Sequence, residues 1–225
     1  MVRLVVLLVG QAGIRLDRSP WRLLAVPFIV TMWFASRWAV EAGHGLKVTG
    51  AAWAFYYVGN TIMLVGPLRR RLIGSLGERR AHTFYEVVVG LMFWSQGLGL
   101  GAAAMSGVET FSLPFGLGTP LAVVLFATGF VVKLWSTYVA GLDIYYYQDM
   151  FLGRATGEFI ASGPYKWLSN PMYGVGNLHS YASAIAAGSL PGMVAALVYH
   201  ASIYTFYFCL ELPFVRRTYL APSDA

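Results

Sequence analysis

Thr119-Pro120-Leu121-Ala122-Val123-Val124-Leu125-Phe126-Ala127-Thr128-Gly129-Phe130-Val131-Val132-Lys133-Leu134-Trp135-Ser136-Thr137-Tyr138-Val139-Ala140 carries one charge, Lys133. A helix rises about 1.5 Å per residue, so about 20 such residues cross the hydrocarbon core of a bilayer. Reading outward, similar apolar runs lie at 21–40, 51–67 and 83–105 on one side, and at 172–188 and 191–212 on the other. The run 172–188 is short, and Ser189 to Gly192, with Pro191, reads as a tight turn. Residues 172–212 are therefore expected to form a helical hairpin. The fold expected is all-α, a polytopic transmembrane helix bundle of about six helices with a C-terminal helical hairpin. Residues 1–140 would supply the N-terminal transmembrane helices. Residues 141–225 would supply a polar loop and the hairpin, the two parts forming one integrated domain. Residues 1–14 are apolar apart from Arg3 and show no small-residue cleavage site, so they read as an interfacial or partly inserted segment.

Composition agrees. Of 225 residues, 57% are hydrophobic and 12% are charged, whereas a soluble domain carries about 25% charged residues. The single cysteine, Cys209, excludes an intrachain disulfide and any cysteine-built metal site. The formal charge of +6 does not point to nucleic acid, because the basic residues sit at the ends of apolar runs. Arg15 and Arg18 precede the first run. Arg69, Arg70, Arg71, Arg79 and Arg80 fill the segment 68–82. Arg154 and Lys166 lie in 141–171, and Arg216 and Arg217 follow the last run. The two alternate loops, 41–50 and 106–118, hold only Lys47 as a basic residue. By the positive-inside rule the basic segments are cytoplasmic. The lipid bilayer is thus an expected partner and nucleic acid is not.

The longest polar stretch, 141–171, leads into the hairpin through Gly157-Glu158-Phe159-Ile160, Ser162-Gly163-Pro164-Tyr165-Lys166-Trp167 and Asn170-Pro171-Met172-Tyr173-Gly174-Val175-Gly176. Ser162-Gly163-Pro164 reads as a turn. Asn170-Pro171 reads as a helix start, with Asn as N-cap and Pro at the first position. Amide groups exposed there would favour an anion such as a cofactor carboxylate. Gly174 and Gly176 would admit a ligand or a neighbouring helix. Tyr165, Trp167 and Tyr173 could stack on an adenine or cover a cationic sulfonium. The plainer reading of each alone is an interfacial aromatic anchor or a packing glycine. Glu211, near the end of the last apolar run, is costly in a membrane and tends to mark function. Its plainer reading is snorkelling toward Arg216 or Arg217. A folded hairpin brings Glu211 and Asn170 to one membrane level.

These residues resemble the integral-membrane methyltransferases, a group that includes phosphatidylethanolamine N-methyltransferases and isoprenylcysteine carboxyl methyltransferases. The resemblance rests on Gly163 to Trp167, on Asn170 to Tyr173, and on Glu211, Pro213, Arg216, Arg217 and Tyr219. It covers about residues 141–220 and is nearest to the fungal first-step phosphatidylethanolamine enzymes. It implies S-adenosylmethionine bound at the cytoplasmic face and a membrane phospholipid entering from the bilayer. By position the cofactor contacts would be Gly157, Glu158, Phe159, Ile160, Tyr165, Asn170, Pro171, Met172, Tyr173, Gly174, Gly176 and Glu211. Much of the group has His-Pro where this chain has Asn170-Pro171, and Asn cannot titrate. The soluble Gly-x-Gly-x-x-Gly dinucleotide motif is absent.

Methylating an ethanolamine requires an amine with a pKa of ~10, by analogy with lysine, to lose a proton first. The candidate bases are Glu211, His179, Asp143 and Asp149. The run Asp143-Ile144-Tyr145-Tyr146-Tyr147-Gln148-Asp149 would line the head-group entrance. Lys133 and Glu86 are expected to pair or snorkel, and His200 to be a core or interfacial histidine. Other readings are an isoprenylcysteine-type carboxyl methyltransferase, a membrane reductase using a nicotinamide cofactor, and a small transporter or scaffold. Against the transporter, no inverted repeat is visible.

Overall fold

The computed structural model describes residues 2–15, 23 and 25–220. Arg18 and the first residues of the run 21–40 lie outside them. The elements are α1 (Val2–Gln11), α2 (Ala25–Glu41), α3 (Gly45–Val65), α4 (Pro67–Leu76), α5 (Glu78–Met105), α6 (Gly118–Ala140), α7 (Leu142–Tyr145), α8 (Gln148–Leu152), α9 (Ala182–Ala186) and α10 (Leu190–Leu220). Among the described residues, α3, α5, α10 and the stretch Pro114–Ala140 that contains α6 are long and apolar enough to cross a membrane. The chain is an integral membrane protein.

The central element is α5. Ala81, Tyr85, Val89, Met92, Ser95, Gly99 and Ala103 recur every three or four residues and are buried, which gives the helix one continuous core face. Phe84 and Trp94 on other faces are exposed, as lipid contact requires. The α5 helix packs against α2, α3 and α10. The α6 helix instead packs on the segment 175–186 and on α1, so these two consecutive helices are backed by different partners. Helix α1 has ten residues and rises about 15 Å, too short to cross. It is tied to the bundle where Tyr146 donates to the Gly10 carbonyl (2.7 Å) and Gln11 to Thr137 (2.7 Å).

The fifth expected helix, 172–188, is not one helix. Residues 171–174 form turns, Val175–Tyr181 is a 3₁₀ helix, and only Ala182–Ala186 is α-helical. Gly174 lies at φ −79°, ψ −103°, outside the helical region. Such a break frees carbonyls, and inside a membrane these must find donors. Two histidines meet that need. His200 Nε2 donates to the Tyr173 carbonyl (2.8 Å) and His179 Nδ1 to the Gly176 carbonyl (2.7 Å). His200 Nδ1 then accepts from Tyr181 (2.9 Å), so His200 is a core histidine as expected. The turn at 189–192 is as read: Ser189 caps α10 by accepting from the Gly192 amide (3.1 Å).

Loop contacts agree with the sidedness read from charge. The Glu109 and Phe111 amides donate to the Ala187 and Gly188 carbonyls (2.9 Å each) at one end of the bundle. At the other end Arg154 pairs with Glu78 (2.9 Å), and Arg69 lies against the Met150 carbonyl (3.4 Å).

The broken segment reaches α6 at a glycine. A Cβ on Gly129 would stand 2.4 Å from the His179 backbone nitrogen. Backbone cannot swing aside as a side chain can. Gly129→Ala is expected to destabilise the protein by about 2 kcal/mol, measured as a lower thermal midpoint in detergent.

Candidate functional site

Where α6, the connection 141–171 and α10 converge, a cavity of about 330 Å³ opens at the basic end of the bundle. The segment 158–161 supplies one wall. It has no regular secondary structure, and its backbone groups make no hydrogen bond to the backbone of another described residue. Tyr165, Asn170, Met172 and Tyr173 supply a second wall, and Tyr207, Glu211 and Tyr219 of α10 a third. Tyr56 and Phe93 close the inner end from α3 and α5.

The last wall depends on a local change in helical winding. Tyr207–Glu211 is a π-helical turn in α10, two residues before Pro213. Proline has no amide hydrogen, so the regular ladder lacks one donor there, and π turns recur at functional sites. A second π turn, Ala54–Val58, carries Tyr56 on α3.

Glu211 accepts from the Tyr173 hydroxyl at 2.8 Å. Tyr173 meets Tyr147 at 3.0 Å, and Tyr147 meets Tyr56 at 2.8 Å. Burial, and then the nearby Glu211 carboxylate, push the hydroxyls of Tyr147 and Tyr165 above their usual range, so both remain neutral donors. Asn170 acts as the cap expected of it, with Oδ1 accepting from the Tyr173 amide (3.1 Å). It fixes the start of a turn rather than of an α-helix.

The expected site residues divide. Glu158, Phe159, Ile160, Tyr165, Asn170, Met172, Tyr173 and Glu211 line the cavity. Gly157 lies just beyond its edge, and Pro171 is buried behind it, its carbonyl accepting from the Gly176 amide (2.8 Å). Gly174 and Gly176 serve packing: added Cβ atoms would stand 3.0 Å from the Tyr204 hydroxyl and 2.8 Å from the Pro171 carbonyl oxygen. Trp167 is exposed, with its nearest ring partner Trp135 at 6.1 Å, and does not face the cavity.

The candidate bases divide too. Asp149 lines the cavity but is engaged by the Thr156 amide (3.1 Å), the Thr156 hydroxyl and Tyr219. Asp143 lies outside and pairs with Arg15 (2.8 Å). Arg15 also holds Glu86 (3.0 Å), which corrects the expected Lys133–Glu86 pair. Lys133 instead lines the cavity, its ammonium 5.9 Å from the centre of the Tyr145 ring. It is the one cation among the described lining residues. His179 belongs to a second cavity, also about 330 Å³, which shares Tyr56, Phe93 and Tyr145 with the first. This second space lies between α5, at Gln96, Gly97 and Leu100, and α6, at Phe126.

A family model described as phospholipid methyltransferase matches residues 117–221, which contain α6, the loop and α10. Residues 117–221 are thus similar to the phospholipid methyltransferases. Two curated fungal proteins are similar to this chain. The phosphatidylethanolamine N-methyltransferase of Malassezia globosa is 31% identical over 93 residues, 40% of this chain and 10% of that one. The phosphatidylethanolamine N-methyltransferase of Schizosaccharomyces japonicus is 29% identical over 82 residues, 36% of this chain and 9% of that one. The chain thus spans about a tenth of the length of these relatives. No solved structure matches it. The cavity lies between elements of the matched stretch and two residues outside it.

Those two, Tyr56 and Phe93, were not anticipated from the sequence, and nothing in Phe55-Tyr56-Tyr57 distinguishes one tyrosine from the next. Lys133 did carry a signal, as a lone charge in an apolar run, but it had been assigned to Glu86.

Asn170→Ala removes the cap on the Tyr173 turn and is expected to cost about 1 kcal/mol. Asn170→Ser keeps an acceptor and should recover most of it. Thermal midpoints of the two variants in detergent check this.

Proposed function

We propose that the protein transfers a methyl group from S-adenosylmethionine to the amine of phosphatidylethanolamine at the cytoplasmic membrane face. The observation that carries the proposal is a half-buried carboxylate on an apolar helix, Glu211, held by Tyr173 in the wall of a cavity lined mostly by the segment similar to phospholipid methyltransferases.

The chemistry of the lining fits the cofactor. Aromatic side chains suit both an adenine and a sulfonium. The edge 158–161 offers backbone donors and acceptors to a base. The Glu211 carboxylate can accept from ribose hydroxyls, and Lys133 can pair with a carboxylate. This last role replaces the amide groups expected at Asn170, where no α-helix begins. Bound there, the cofactor supplies an activated methyl on sulfur.

The chain's own part is positional. The walls exclude water, and the Tyr173 hydroxyl orients Glu211. The second cavity, between α5 and α6, gives a lipid head group a route from the bilayer that meets the first at Tyr56, Phe93 and Tyr145. The connection 141–171 and the end of α10, two of the basic segments, line the first cavity, in keeping with a cytoplasmic site.

Calorimetry on the detergent-purified protein tests the reading. Wild type should bind S-adenosylmethionine, and Glu211→Gln should weaken binding tenfold or more. A folded wild type that binds none, with or without added lipid, would rule the reading out.

A further inference from the structure

The hydrogen bonds between Glu211 and Tyr56 have a direction. A phenol carries one hydrogen. Tyr173 spends its hydrogen on the Glu211 carboxylate. The bond between Tyr147 and Tyr173 must then be donated by Tyr147. The bond between Tyr56 and Tyr147 must in turn be donated by Tyr56. All three hydroxyls thus point their hydrogens toward Glu211, and the far end, the Tyr56 oxygen, has only lone pairs to offer. Tyr56 is a wall of both cavities. A terminus that can only accept, at the meeting point of two cavities, suits a donor, and a protonated amine is a donor only.

We propose that Tyr56, Tyr147 and Tyr173 form a relay that carries the proton lost by the acceptor amine to Glu211. The proposal rests on the methyltransferase reading above and specifies how its substrate is activated. The ammonium gives a proton to the Tyr56 oxygen as Tyr56 passes its own to Tyr147, Tyr147 to Tyr173, and Tyr173 to the Glu211 carboxylate. The amine lone pair then forms the N–C bond while the C–S bond of the methyl donor breaks and its electron pair stays on sulfur. One proton per turnover ends on Glu211, at the basic end of the bundle, and the product leaves as the methylated ammonium. Tyr56 is the residue that touches the amine, whereas Tyr147 and Tyr173 act through it.

Several titratable groups surround the relay. Lys133 faces it from α6, Tyr145 and Asp149 from the connection after α6, Glu158 and Tyr165 from the loop, and Tyr207 from α10. On the Tyr56 side stand Tyr57 of α3 and Tyr85 of α5. Asp149 is engaged by Thr156 and Tyr219, and Tyr85 donates to Asn60 (2.9 Å). Tyr57 donates to the Tyr199 carbonyl (2.7 Å). Among the described residues Glu211 is the carboxylate to which the chain of hydroxyls is hydrogen-bonded.

Tyr147→Phe removes one hydroxyl and keeps the ring. Methyl transfer to phosphatidylethanolamine in mixed micelles is measured from pH 7 to 9.5, with S-adenosylmethionine affinity by calorimetry. With the relay cut, only amine already deprotonated in solution reacts. The variant should be at least tenfold slower than wild type at pH 7. That deficit should shrink at least fivefold by pH 9.5, with cofactor affinity within twofold of wild type. Tyr173→Phe should show the same recovery with pH. An equal deficit at every pH would mean that the hydroxyl only aligns the site, and no deficit would mean that the proton leaves elsewhere; either overturns the relay. A wild type that binds the cofactor but methylates no amine lipid would refute the reading beneath it, and the relay with it.

Discussion

A carboxylate on an apolar helix must be given a hydrogen-bond donor, and the donor that Glu211 has is the Tyr173 hydroxyl. Much of the site can be traced to that contact. It requires the chain after Pro171 to leave helical geometry so that Tyr173 turns toward α10. It requires donors for the carbonyls this break exposes, which His179 and His200 supply. It also requires close approach of α6 to the broken segment, which Gly129 allows. Residues that look unrelated in sequence are thus consequences of seating one acid.

The membrane character was legible because it depends on many residues at once. Long apolar runs and the one-sided distribution of arginines need no knowledge of neighbours, and the loop contacts at the two ends of the bundle agree with both. The pairing of Glu211 with the Asn170 region was legible for a similar reason, since a tight turn at Pro191 brings the two strands of the hairpin to one level. The helical break at 171–181 was not. The run 172–188 is apolar enough to read as a helix, and the departure at Gly174 is decided by tertiary partners, Tyr204 and His200, that periodicity cannot reveal.

The charged residues teach a related lesson. Glu86 and Lys133 both sit in apolar runs, and pairing them is the economical guess from sequence. Arg15 takes Glu86 because the end of α1 folds against α5, where Gly13 and Gly90 meet backbone to backbone. Lys133 is thereby released to the cavity. Which acid meets which base in a membrane bundle is a question of helix adjacency, and adjacency was the least visible property of this sequence. The expected paired role of Lys133 therefore gave way to a role in the cavity lining.

Tyr56 and Phe93 come from helices outside residues 117–221. The stretch matched by the family model therefore holds most of the cavity wall in this chain but does not complete it. The family-matched stretch and the inner wall of the cavity are carried by separate stretches of polypeptide. Changes in α3 and α5 can reshape the chamber from behind while the loop and last helix stay as they are. A similar family segment is, on this architecture, compatible with divergence in the space that the cavity encloses.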